Sequence, residues 1–260
     1  MLLKPKTDFM NTSNKILAGF FLIIFIVPAM MVMAFKSKIR RNDYKIVNRD
    51  SFANGNWKTG KLQSPKVVKL VGIAGNALKV NVNYADAARY NYATGGRDSI
   101  KMVTVGDTIE IHYSFTGSPN DIADANLYLD LSLPRLERLI AENVEVNIIS
   151  LDTSGAQSLV IDLNGTSRLS IGKNEGDQYL PTSDNQAIRL SRLAATVDNS
   201  ALNIGKGVAI GEMNIDATGK STLVISKDAV IGNISGKLSD SSRVDANWNY
   251  LKQLNSLQAQ

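Results

Sequence analysis

The sequence predicts an all-β protein: a β-helix (β-solenoid) of about 21 residues per coil with N-terminal capping strands, preceded by one transmembrane helix. Three observations predict it. Short strands of similar pattern recur at a near-fixed spacing beyond Leu127, helical periodicity is absent from that region, and a run of 20 uncharged residues stands near the N-terminus.

Residues 1–15 form a short N-terminal tail. The run at 16–35, ILAGFFLIIFIVPAMMVMAF, lies between Lys15 and KSKIRR. At about 1.5 Å of rise per residue it spans roughly 30 Å, the thickness of a bilayer core. A core helix would carry polar positions at helical spacing, and this run carries none. A cleaved signal peptide would use Val32 and Ala34 before the cut. However, the run is longer than the usual apolar stretch of such peptides and four bases follow it closely, so an uncleaved signal-anchor is expected. Pro28 removes one helical hydrogen bond, which membrane spans tolerate.

Residues 36–64 read as a basic flank and a polar linker. Residues 1–45 hold eight Lys or Arg against Asp8 and Asp43, whereas the rest of the chain is nearly balanced. The basic character therefore belongs to the membrane-proximal segment, and no nucleic-acid partner is expected. The flank Lys36, Lys38, Arg40, Arg41 and Lys45 outweighs Lys4, Lys6 and Lys15. Taken alone, that asymmetry keeps the large domain in the cytoplasm. The absence of cysteine excludes disulfides, thiolate metal sites and cysteine nucleophiles.

Residues 65–246 form the predicted domain. KVVKLVG, ALKVNVNY, SIKMVTV and DTIEIHYSF alternate apolar with polar residues and read as antiparallel or meandering strands covering one end. GIAGN, with Gly72 and Gly75, reads as a hairpin turn between the first two, since it lacks the full spacing of a dinucleotide loop. Then come VNI, LSI, LNI, LVI and VDA, starting at Val146, Leu169, Leu202, Leu223 and Val244, spaced 23, 33, 21 and 21 residues apart. Removing about 12 residues of the polar segment Lys173–Gln186 restores the period. Stacked coils align Leu202, Leu223 and Val244 in one inward column and Ile204 and Ile225 in another. NGTS, DNSA and DATGKST are corners, where Gly and short polar side chains suit left-handed backbone. Residues 247–260 form a C-terminal cap or tail, with Trp248, Leu251 and Leu254 at helical spacing.

No catalytic, cofactor-binding or metal set is expected from the sequence. His112 is the only histidine and alternates with Ile109, Ile111 and Tyr113 as an ordinary strand residue. Asp152, Asp162, Asp198, Asp216 and Asp245 each follow an aliphatic residue; stacked, they would bind a cation or act as acid and base, and otherwise they are solvated outer positions. Three N-x-S/T triplets, at Asn11, Asn164 and Asn233, are expected by chance in so Asn- and Ser-rich a chain.

KVVKLVGIAGNALKVNVN followed by GDTIEIHYSF, then LYLDLSLPRLERLIAENVEVNI and SLVIDLNGTSRLSIG, resembles the auto-transporter adhesin head GIN domain family of bacterial envelope proteins. Leu131–Ile148 is the nearest match and the resemblance covers residues 65–246. AENVEV departs from the usual Gly-Ala or Gly-Ser pair, and Lys173–Gln186 is extra. The resemblance implies adhesion and supplies no catalytic or ligand residue.

The expected function is that of a non-enzymatic envelope protein offering an adhesion, contact or scaffolding surface, single-pass in the cytoplasmic membrane with its domain outside. Its partners are membrane lipid through 16–35 and another envelope protein or a glycan. The alternative is a cytoplasmic, membrane-tethered polymer like a bactofilin, which suits the basic flank. A third is an enzyme on glycans, using Asp152, Asp162 and Asp198 with Lys173 or Arg168. The period itself is testable. Deleting Lys173–Gln186 should leave the thermal melt cooperative and its midpoint within a few degrees, whereas loss of the transition would mean that the segment contributes a coil.

Overall fold

The computed structural model describes residues 56–75, 78–94, 98–116, 127–152, 157–172 and 187–258, all within one compact unit, Asn54–Gln260. The span expected at 16–35 and the segment Lys173–Gln186 lie outside the described residues. Among the described residues no helix is long and apolar enough to cross a membrane.

Alternating burial makes strands of almost the whole unit. They are β1 (Asn56–Lys61), β2 (Val67–Val71), β3 (Leu78–Tyr84), β4 (Arg89–Thr94), β5 (Asp98–Val105) and β6 (Thr108–Phe115). Next come β7 (Leu127–Leu133), β8 (Arg138–Glu142), β9 (Glu145–Ile148), β10 (Gln157–Asn164), β11 (Arg168–Ile171) and β12 (Ile188–Asp198). The last are β13 (Ala201–Ile204), β14 (Val208–Thr218), β15 (Thr222–Ile225), β16 (Val230–Leu238), β17 (Arg243–Asp245) and the helix α1 (Trp248–Gln258).

They form two open, mixed sheets. One has nine strands in the order β1-β4-β7-β3-β9-β11-β13-β15-β17, the other eight in the order β16-β14-β12-β10-β8-β2-β6-β5. From β8 onward the chain alternates strictly between them, so each long strand of the second sheet is followed by a short strand of the first. All neighbours in that region are parallel.

The register stacks like on like. Val146 pairs with Leu169, Leu169 with Leu202, Leu202 with Leu223 and Leu223 with Val244. Ile148, Ile171, Ile204 and Ile225 form the second column. Both columns expected from the repeat are present. On the opposite sheet Leu139, Ile161, Ala195 and Ile215 line up, then Gly236. A Cβ on Gly236 would collide with the Ile215 carbonyl oxygen, so the close backbone approach there requires glycine.

The corners alternate between two solutions. Asn143 and Asn199 hold left-handed backbone, at φ 54° and 49°, while Gly165 and Gly219 hold it at 71° and 61°. Asn Oδ1 accepts the next corner's backbone: Asn143 from the Thr166 N–H at 3.2 Å, Asn199 from the Lys220 N–H at 3.1 Å. A Cβ on Gly165 or Gly219 would collide with that same Oδ1. An Asn corner therefore needs a glycine corner above it. Ser167, Ser200 and Ser221 are buried beside them and donate to carbonyls at the strand ends, such as Ser221 Oγ to Val197 O at 2.9 Å.

Several expectations fail. β2 and β3 are not end-capping antiparallel strands, and GIAGN is not a hairpin. Gly72 and Gly75 lie in the corner that carries the chain from one sheet to the other, with the Gly72 N–H bonded to Glu142 O at 2.8 Å. Val68 and Leu70 continue the inward columns of β8 and β6, and Val80 and Val82 those of β9 and β7. The reason is order: β6 and β7 stack outside β2 and β3, and β8 and β9 inside them. Neighbours there are not one period apart, so the repeat is silent although the stack is continuous. Among the described residues only β1, β4 and β5 lie beyond the parallel ladder at that end, all antiparallel. β1 also falls within the segment read as linker. Gly106 and Asp107 form the hairpin turn that joins β5 to β6.

At the far end Asn247 precedes α1, and its Oδ1 accepts from the Asn249 and Tyr250 N–H groups as an N-cap. Trp248 does not cover the sheet, being 67% exposed. Tyr250 does: its hydroxyl accepts from Ile231 N–H and donates to Ala229 O, both at 3.0 Å. Gln253 Oε1 accepts from Ile234 N–H at 3.0 Å, and Leu254 is buried.

Leu223→Asp, between Leu202 and Val244, should lower stability by about 3 kcal/mol or more. Gly219→Ala should lower it by about 1–2 kcal/mol through the left-handed backbone, and further through the contact with Asn199. Urea unfolding of both variants is the measurement. A Gly219→Ala midpoint equal to wild type would mean that the corner is not left-handed.

Candidate functional site

Period-two alternation that sends aliphatic residues inward also sends a second set of columns outward. On the nine-stranded sheet the central outward column runs Asn91, Asp130, Asn81, Asn147, Ser170, Asn203 through successive strands. Neighbouring strands lie about 4.8 Å apart, which brings short amide and carboxylate groups into hydrogen-bonding range. Asn81 Nδ2 donates to Asp130 Oδ1 at 2.9 Å, Asn147 Nδ2 to Asn81 Oδ1 at 3.4 Å and Asn203 Nδ2 to Ser170 Oγ at 3.3 Å. A column beside it carries Tyr128, Lys79, Glu145 and Arg168, with Lys79 Nζ 5.6 Å from the centre of the Tyr128 ring.

Ser170 is buried and the rest of the column half-buried, so this face can donate and accept hydrogen bonds on either side of Ser170. Each carboxamide has two N–H donors and an acceptor oxygen, so one ladder bond leaves capacity for a further partner. The column continues through Val224 to Asp245, so Asp130 and Asp245 are its carboxylates. Burial pushes the Asp130 carboxyl up from the ordinary value, and donation from Asn81 pulls it partly back.

The aspartates singled out in the sequence do not converge. Asp162 and Asp216 share a column on the eight-stranded sheet but Thr196 separates them, and Asp198 lies in another column. Asp245 and Arg168 belong to the other sheet. Asp152 follows β9, outside both ladders, and Lys173 lies outside the described residues. The proposed set Asp152, Asp162 and Asp198 with Arg168 is therefore not assembled. Two of them have structural partners: Asp162 Oδ2 is 2.7 Å from Arg138 Nη2, and Asp198 Oδ1 accepts from Thr218 Oγ1 at 2.7 Å and from Asn199 Nδ2 at 3.1 Å. Thr218, taken from the sequence as a plain corner, is thus tied to a carboxylate, and an aspartate there would meet Asp198.

His112 faces outward on β6, 3.3 Å from Glu110 Oε2. Glu110 also accepts from Lys69 Nζ at 3.2 Å; that bond, then the one to His112, holds its carboxyl below the usual range. Among the described residues no group of three or more His, Cys, Asp or Glu could hold a metal ion.

No protein-family model matches the chain, and no curated protein does either. It is similar to solved structures at low identity. One is named "putative adhesin", from Parabacteroides distasonis ATCC 8503, with 8% identity over 74% of this chain and 82% of that one, TM-score 0.41. Another from the same organism is named "Putative lipid binding protein", with 10% identity over 74% and 81%, TM-score 0.42. A third is named "putative adhesin", from Bacteroides fragilis NCTC 9343, with 10% identity over 75% and 94%, TM-score 0.38. At these values the likeness assigns no residue a role.

Because the Asp130 pKa is raised on folding, its proton stabilises the fold below the unfolded pKa, and that contribution is lost as pH rises through the folded pKa. Asp130→Asn should therefore melt higher than wild type at pH 7, with the difference gone near pH 3 (about one unit below an unperturbed aspartate). Thermal melts at both values check it. A variant that melts lower at pH 7 would mean that the carboxylate is stabilised by its surroundings.

Proposed function

We propose that the chain is a non-enzymatic envelope protein whose two-sheet stack is a β-solenoid. The span at 16–35 anchors it in the cytoplasmic membrane with the stack outside. The observation that carries this reading is the outward carboxamide ladder on an in-register stack. A rigid face with hydrogen-bonding groups at strand spacing suits holding an extended, polar partner, a glycan strand or a segment of another envelope protein. The names of the similar structures are compatible with this reading and add no weight to it.

The rival is a cytoplasmic, membrane-tethered polymer, which the basic flank Lys36–Lys45 favours. End-to-end growth needs open strand edges at both ends, and α1 occupies the β16 edge with Tyr250 and Gln253. The glycan-active reading loses support with its side chains on different faces.

Protease added to spheroplasts should cleave the domain of the full chain while sparing a cytoplasmic control protein. Complete protection until the membrane is lysed would overturn the external placement and restore the tethered polymer.

A further inference from the structure

Building on the contact-surface reading of the carboxamide face, we propose that its occupant is a neutral, extended β-1,4-linked glycan. The glycan lies across β4, β7, β3 and β9, with one sugar ring over each strand.

The rungs are Asn91, Asp130, Asn81 and Asn147, one from each strand and all half-buried. They stand about 4.8 Å apart, so the row runs about 14 Å from first to last. Ser170, the next rung, is buried and ends the row on that side. A pyranose ring of an extended β-1,4 chain advances by nearly the strand spacing, so four rings keep step with four rungs. A polypeptide advances about 3.3 Å per residue and is out of step by the second rung. Extended polypeptides are held instead at sheet edges, where main-chain groups are unpaired. Each of these four strands is paired on both sides, so the row offers side chains alone.

Those side chains suit hydroxyls, each of which both donates and accepts. Asn81 Nδ2 donates to Asp130 Oδ1 and Asn147 Nδ2 to Asn81 Oδ1, which leaves both carboxamides an N–H for a sugar oxygen. The Asp130 carboxylate only accepts, and it has lone pairs beyond the one that Asn81 uses. An acceptor beside a donor is what two vicinal hydroxyls require. The outward charges of the four strands are Arg89 and Lys79 against Asp130 and Glu145. They balance, which favours an uncharged chain over an acidic one.

The full chain, held in a zwitterionic detergent that carries no sugar, is titrated calorimetrically with cello- and chito-oligosaccharides of two to six rings. In at least one series affinity should rise from the disaccharide to the tetrasaccharide and then level off. Asn81→Ala and Asp130→Asn should each weaken tetrasaccharide binding about tenfold. Asn214→Ala, on the other sheet, should bind like wild type. Because Asp130→Asn should melt higher than wild type at pH 7, its loss of binding does not report lost folding. No binding of either series by the wild-type chain would overturn the proposal, as would wild-type affinity in both Asn81→Ala and Asp130→Asn. An affinity that does not grow with chain length would also overturn it. None of these results alters protease exposure in spheroplasts, so the envelope placement and the glycan assignment fail separately.

Discussion

Parallel register is the constraint on which the described structure depends. Each short strand of the nine-stranded sheet offers two inward aliphatic side chains, too few to form a core alone, and they become one only when the next strand sets its own two directly against them. A slip of one residue would turn both outward. The corners are what prevent it: the Asn143–Thr166 and Asn199–Lys220 bonds fix where each turn begins relative to the next. Left-handed backbone at Asn143, Gly165, Asn199 and Gly219 lets a turn of two or three residues carry the chain across from one sheet to the other.

The C-terminal half of this arrangement was legible because it is written locally. Leu169, Leu202, Leu223 and Val244 are one turn apart along the chain and adjacent in space, so periodicity and contact coincide. The N-terminal half was not. Val68 pairs with Ile109 and with Leu139, and those neighbours come from separate later passages of the chain. Alternation identified β2, β3, β5 and β6 as strands, but it carries no information on which strand lies beside which, and antiparallel neighbours were the default for short strands with glycine between them. At the other end, helical spacing singled out Trp248, whereas contact selected Tyr250, whose hydroxyl can satisfy a strand edge and an indole could not do so as donor only.

The candidate face was harder to read. Attention to charge picked out five aspartates after aliphatic residues, yet following an aliphatic residue says only that a side chain points away from the core. The sheet and column each one occupies depend on pairing. The same pairing assembled Asn81, Asp130 and Asn147, which lie in the unremarkable stretches VNVN, YLDL and VNI. Outward asparagines at alternate positions of strands already identified were the available signal. Without the order of β7, β3 and β9 they could not be recognised as a row.

That strand order has a consequence for how the chain is made. Residues 67–84 leave the ribosome well before either of their lateral neighbours exists, since these lie in 108–133 and 138–148. Later rungs each dock on a template already in place, whereas this first one must wait with both edges bare while several tens of residues follow it. Assembly therefore begins with its most non-local step, the slow and aggregation-exposed kind. A holding factor that masked β2 and β3 would matter most during that interval.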